Sequence, residues 1–200
     1  MSAMKYYALY KPFGTLSQFT DEGGNPGLSH ILDVDNDIYP VGRLDTDSEG
    51  LLLLTNDRRV NNELLNPNKA HWRSYLAQVE GEVTEEAIMK LTLPMVIRLK
   101  KKDHKTLPAR AEKLDVVPGL PERIPPIRHR ANIPTSWIRL AIREGKNRQV
   151  RKMTAHVGFP TLRLVREGIE ELTITGMQPG EIKELSKEEF FTSLNLRLRP

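Results

Sequence analysis

The residues able to do chemistry concentrate in one stretch, Gly42-Arg43-Leu44-Asp45-Thr46-Asp47-Ser48-Glu49, which runs directly into Gly50-Leu51-Leu52-Leu53-Leu54-Thr55. An acidic turn set before a four-leucine run holds a carboxylate at the rim of a core rather than on a mobile tail. Asp45 is the candidate, an ionised carboxylate able to act on an electron-poor carbon. At a core edge it needs a cation partner, because burial alone drives a carboxyl neutral. Arg148 and Arg151, at the start of a basic helix, are natural donors, since the guanidinium fork matches a carboxylate. On these residues alone a structural ion pair stands open beside a catalytic role.

Other chemistries fall away. The chain has no cysteine, which excludes disulfides, thiolate metal sites and thiol catalysis. Its five histidines, His30, His71, His104, His129 and His156, form no pair at metal-ligand spacing and read as surface or loop residues, so no metal is expected. Ser17 and Ser48 lack the context of a nucleophile elbow, and no phosphate loop or dinucleotide fingerprint is present. Carboxylates, hydroxyls and tyrosines remain.

Thirty Lys/Arg against 26 Asp/Glu give a net charge of +4 over 200 residues. The balance is uneven: residues 98–152 hold 16 basic and 5 acidic side chains, net +11, and the remainder is net −7. Such asymmetry implies either a surface facing a polyanion or a solvated basic face. No apolar run approaches the roughly 20 residues of a membrane span, and the N-terminus has no signal-peptide pattern, so a cytoplasmic protein is expected.

The elements that must position these groups follow from pattern. Strands are expected at 5–10, 38–41, 51–55, 74–81, 107–117, 136–143, 161–166, 172–174 and 181–185, and helices from Asn56/Asp57 through 65, from Thr84 toward 91, from about 147 to before Gly158, and over 187–194. In the strand at 74–81, Tyr75, Ala77 and Val79 share one face. In the third helix Val150, Met153, Thr154 and Val157 form one face and Arg148, Arg151, Lys152 and Ala155 the other, which makes Met153 a core residue. Between 98 and 135 lie a lysine run and then a loop with Pro118, Pro121, Pro125, Pro126 and Pro134, with Arg123, Arg128, His129 and Arg130 among them, either a semi-rigid basic arm or a disordered loop. Many short-linked strands with few helices define an α+β protein with a mixed, largely antiparallel sheet.

Four ordered motifs carry a resemblance: Gly42-Arg43-Leu44-Asp45 with Gly50 to Asp57, Tyr10-Lys11-Pro12-Phe13-Gly14, Tyr75 with Gln78-Val79-Glu80-Gly81, and Glu144-Gly145-Lys146-Asn147-Arg148-Gln149-Val150-Arg151-Lys152-Met153. Together they resemble the RsuA-type RNA pseudouridine synthases over nearly the whole chain. The start of the catalytic strand at residue 5, without an S4 RNA-binding module before it, and the Pro125–Trp137 region look most like a 23S rRNA branch of that family. Ser48, Arg58 and Arg73-Ser74 depart from the common residues and touch no presumed catalytic side chain.

The resemblance implies a single catalytic domain, 1–200, of two sheet-sharing lobes with a central RNA cleft, isomerising a specific uridine of 23S rRNA without a cofactor, as a monomer. It implies Asp45, Tyr75 and Arg151 as the catalytic set, and RNA contacts from Arg43, Lys11, Arg148, Lys152, Lys101, Arg128 and Arg130, with the target uridine flipped from its stack. Two alternatives stand beside it: a non-catalytic rRNA-binding or ribosome-assembly factor on the same fold, and a nucleoside hydrolase, which lacks an apparent second carboxylate motif.

Overall fold

In β3 (Glu49–Thr55) all seven residues are buried, as a four-leucine strand requires both of its faces to be covered. Its antiparallel partner β1 (Tyr6–Lys11) sets Tyr7 opposite Leu54 and Leu9 opposite Leu52, and these pack with Leu28, Leu32 and Ile38 on one face. The register turns Tyr6, Ala8, Leu51 and Leu53 to the other face, where Phe190 stacks on Tyr6 at 4.9 Å between ring centroids. Each such leucine contributes about 1.5–3 kcal/mol on burial, so this strand pair is a stiff base for the acidic turn that precedes it. The computed structural model describes residues 3–100, 102–127 and 133–196.

The chain divides into two compact units, Met1–His71 with Arg166–Pro200, and Trp72–Val165. The first has strand order β11-β1-β3-β9, from β11 (Ile182–Leu185) to β9 (Thr161–Ile169), with β2 (Tyr39–Pro40) on β3 and β10 (Leu172–Thr173) on β9. Helix α1 (Arg58–Leu65) starts at Asp57, whose side chain accepts from Arg59 N–H. Helix α4 (Lys187–Ser193) starts at Ser186, whose hydroxyl accepts from Glu189 N–H. Both are N-caps of the kind that satisfies orphan amides.

The second unit has the order β9-β4-β8-β7, with β4 (Arg73–Glu80), β7 (Arg110–Leu114) and β8 (Thr135–Ile142) antiparallel in sequence of pairing. Thr84 caps α2 (Glu85–Thr92). Helix α3 (Gln149–His156) buries Val150, Met153 and Thr154 and leaves Ala155 exposed, as its periodicity requires. It ends in a Schellman arrangement: Gly158, at φ +95°, donates to Ala155 O and Phe159 to Thr154 O.

Two expectations change. Of the lysine run, Lys100 stands at φ +50° in a turn and Lys102 opens β6 (Lys102–Lys105), which pairs with β5 (Val96–Leu99) as a hairpin. The strand expected over 107–117 is confined to β7, because Thr106 and Ala109 donate instead to Met95 O and Thr92 O at the end of α2. Within the proline-rich segment Arg123 donates to Pro125 O and Pro126 O, and Arg163 to Pro121 O at 2.9 Å, so residues 121–126 are tied down by guanidinium–carbonyl bonds. Residues 128–132 lie outside the described residues, and the basic arm expected there with them.

Candidate active site

Asp45 is half-buried and opens a turn that Ser48 closes by donating its N–H to Asp45 O at 3.0 Å. The turn is pinned on either side of the carboxylate. Ser17 Oγ donates to Leu44 O and accepts from Leu44 N–H, both at 2.9 Å, while Gly14 N–H donates to Thr46 O at 2.8 Å. The Lys11-Pro12-Phe13-Gly14 element therefore acts as a brace: it is bonded to the backbone one residue beyond Asp45. Ser17 has no sequence signal of its own beyond the absence of a nucleophile context.

Lys11, expected as an RNA contact, is instead completely buried, which leaves it no surface on which to meet a phosphate. Its Nζ donates to Pro12 O at 2.9 Å and Thr15 O at 2.7 Å, folding the loop back on the end of β1. Burial lowers its pKa to about 8, an effect opposed by the negative charges of Glu49, Asp47 and Asp45 and reinforced by the positive charge of Arg166. It is a buried ammonium beneath an acidic turn.

Gly50 fixes the next residue pair. It has φ +104°, and a Cβ there would stand 2.3 Å from Arg166 O and 2.6 Å from Arg166 N. Only glycine lets β3 approach β9 this closely. Arg166 is itself buried and donates through Nε to Leu51 O at 2.7 Å. At the far end of β3, Asp57 is 1% exposed and accepts from Tyr6 Oη at 3.0 Å and from Arg59 Nε and Nη2 at 2.9 Å. The Arg59 bonds hold its carboxyl below the ordinary range, while burial and Asp57 push the Tyr6 phenol up to about 12. Arg43, by contrast, is exposed.

In the second unit Tyr75 lies on β4 opposite Leu140, its ring buried. Among the described residues its hydroxyl makes no hydrogen bond, so the polar end of a core-held ring is left for another partner. Arg148 is exposed and sits at the N-cap of α3 with φ +53°, a left-handed conformation that costs about 1 kcal/mol in a residue with a Cβ. Arg151 and Lys152 are half-buried in the first turns of the helix, and Arg151 Nη1 donates to Thr161 O at 3.3 Å.

The turn into α3 is held by Glu144. Its carboxylate accepts from Leu107 N–H at 2.8 Å and Gln149 Nε2 at 2.7 Å, and bonds His104 Nε2 at 2.8 Å. Gln149 in turn accepts from Lys146 N–H. Two histidines thus have structural partners rather than the surface positions expected of them: half-buried His104 on Glu144, and His71, 6% exposed, with Nδ1 3.0 Å from Glu170. Among the described residues no cluster of acids and histidines could hold a metal. Lys101, Arg128 and Arg130 lie outside the described residues.

Comparison with known proteins bears on what this geometry does. The family model described as RNA pseudouridylate synthase matches residues 5–156. Over 175 residues the chain is 48% identical to the ribosomal large subunit pseudouridine synthase E of Vibrio parahaemolyticus, covering 88% of this chain and 71% of that protein. Over 186 residues it is 46% identical to the protein of the same name from Vibrio vulnificus, covering 93% and 77%. A crystal structure of a pseudouridylate synthase superimposes with a TM-score of 0.78 at 24% identity, covering 97% of this chain and 75% of that one, a likeness of fold.

Proposed function

The chain belongs to the RNA pseudouridylate synthase family, and on that premise we propose that it isomerises a uridine of large-subunit ribosomal RNA to pseudouridine. The observation that carries the reading is the Asp45 turn: one half-buried carboxylate whose flanking backbone is bonded at Leu44, Asp45 and Thr46. Such bracing is what a reacting group needs and what an ordinary surface ion pair does not.

In the reaction the N1–C1′ bond breaks, the uracil turns, C5 bonds to C1′, and the C5 proton leaves as N1 gains one, so the product is an isomer and no cofactor is consumed. C1′ becomes electron-poor as the base departs. Asp45 meets that charge as nucleophile, as counter-ion or as base toward the 2′ proton. Tyr75 is assigned to stack on the uracil and to take part in the C5 proton transfer, for which its free hydroxyl is suited. Arg151 is assigned the positive charge that keeps the reacting carboxylate ionised.

A uridine stacked in a helix cannot present C1′ and C5, so the target is flipped out. Arg43, Arg148 and Lys152 supply phosphate contacts, with Lys101, Arg128 and Arg130 assigned to the same role. A ribosomal substrate places the enzyme in the cytoplasm, where it acts as a monomer. Asp45→Asn is expected to abolish pseudouridine formation on 23S rRNA transcripts, by at least about a thousandfold, while RNA binding persists. Retained turnover overturns the assignment.

A further inference from the structure

We propose that Arg110, Arg143 and Trp72 form a second RNA-contacting surface, on the face of the β4-β8-β7 sheet opposite to Tyr75, where the two guanidiniums bind a backbone phosphate. The proposal rests on the reading of this protein as an enzyme that acts on RNA.

Strand register separates the two faces. Tyr75 stands opposite Leu140, and Leu140 opposite Ala111. One step along, Ser74 stands opposite Ala141, and Ala141 opposite Arg110. Neighbouring rows of a sheet point to opposite faces, so Arg110 lies on the side away from Tyr75. Trp72 and Arg143, each one residue beyond the Arg73–Ile142 pair, continue that same alternation.

Beside Arg110 its row holds only small side chains, Ser74 and Ala141. The Arg110 guanidinium carbon is 4.2 Å from the Trp72 ring centroid and that of Arg143 is 4.9 Å. Both distances lie within cation–π range.

What singles out this cluster is the anion it lacks. Among the described residues neither arginine bonds a carboxylate or any other acceptor, and the buried Arg143 Nε has no partner. The two acids nearest in sequence are engaged elsewhere: Glu112 with Arg139, and Glu144 with His104, Leu107 and Gln149. Two like charges brought to one ring repel each other, and a guanidinium held over a π face still has its N–H donors to place. An anion bridging the pair relieves both conditions. Phosphate suits the fork of arginine. The segment 98–152 carries a net charge of +11, which favours a polyanion over an isolated ion.

The test uses the full chain and protein-free 23S rRNA transcript, with Arg110→Gln/Arg143→Gln as the variant. Affinity is expected to fall roughly tenfold near 0.15 M salt, and the slope of log K against log salt to become shallower by about one to two. The loss is expected on KM rather than on kcat. Arg110→Lys/Arg143→Lys should restore most of the slope, because the charge is kept and only the fork is lost. Arg110 is exposed, so Arg110→Gln alone keeps the fold and should show about half of the slope change.

Unchanged affinity and slope in Arg110→Gln/Arg143→Gln and in Arg110→Gln overturn the proposal. So does a defect seen only with protein-containing ribosomal particles, which would assign the surface to an acidic protein. A fall in kcat without a change in binding overturns it as well. Asp45→Asn gives the reverse pattern, turnover lost and binding kept, so the failure of either reading is recognisable without the other.

Discussion

The Asp45 turn and the turn into α3 are built on the same plan with the charges exchanged. Beneath the acidic turn of Asp45, Asp47 and Glu49 lies a buried cation, Lys11, bonded to two carbonyls of the loop that braces it. Beneath the basic stretch from Arg143 to Lys152 lies a nearly buried anion, Glu144, bonded to a backbone amide, a side-chain amide and an imidazole. Each stretch is rich in charge of one sign and has a buried or nearly buried group of the other sign close by. The bonds differ in kind: the first turn is tied by a hydroxyl and peptide groups and its bracing loop by an ammonium on two carbonyls, whereas a carboxylate gathers three donors at once in the second. A charged tether is expensive to bury unless its hydrogen bonds are made, and both sets are made.

The sharpest way to break the first turn is through its strand rather than its charge. Gly50→Ala should cost at least about 4 kcal/mol, since the new Cβ would sit 2.3 Å from Arg166 O in a backbone conformation that alanine rarely adopts. The midpoint of urea unfolding measures this. A loss below about 1 kcal/mol would mean that β3 and β9 part easily and that the base of the Asp45 turn is soft.

Lys11→Met tests the buried cation through pH. The folded pKa of Lys11 is about 8 against an ordinary 10.5. Between those values the unfolded chain holds a proton that the folded chain has released, so this group's contribution to stability rises with pH across the window. Below about pH 8 the cost of the buried ammonium is present in full. The stability of the wild type minus that of Lys11→Met should therefore increase by an amount on the order of 3 kcal/mol from pH 8 to 10.5. A difference that is flat over this range would remove the ammonium from beneath the turn.

The smallest expected effect is on the second turn. Glu144→Ala leaves Leu107 N–H, Gln149 Nε2 and His104 without their acceptor, which should cost about 2 kcal/mol and loosen the start of α3. Hydrogen exchange at Val150–Met153 amides reports the loosening. Unchanged protection with lowered global stability would show that the helix is held by its buried face alone.

Most elements were legible because their signals are local. The four leucines, the alternation around Tyr75 and the one-sided apolar face of α3 each specify an element and the face it buries, and the structure has them as β3, β4 and α3. The β5–β6 hairpin was not legible: its strands are four residues long, and a lysine run at the turn reads as solvated charge. Lys11 was misread for a related reason. A lysine at the end of a strand gives no local sign that its ammonium will turn inward to carbonyls one and four residues on. Glu144 and Ser17 carry no periodic pattern; two of the three partners of Glu144 lie 37 and 40 residues away, and that of Ser17 lies 27 away.

By itself the sequence determined which chemistry was available, which turn carries the carboxylate, and which face of α3 is core, since residue type and short-range period suffice for these. Tertiary structure alone decided that Lys11 is a tether rather than a phosphate contact, that Glu144 gathers the turn before α3, and that Arg110 and Arg143 meet over Trp72. The meeting of Arg110 and Arg143 depends on the pairing register of strands far apart in the chain, where a one-residue slip would turn Arg110 to the other face, and the outcomes at Lys11 and Glu144 depend on which carbonyls and donors the folded loops bring to them.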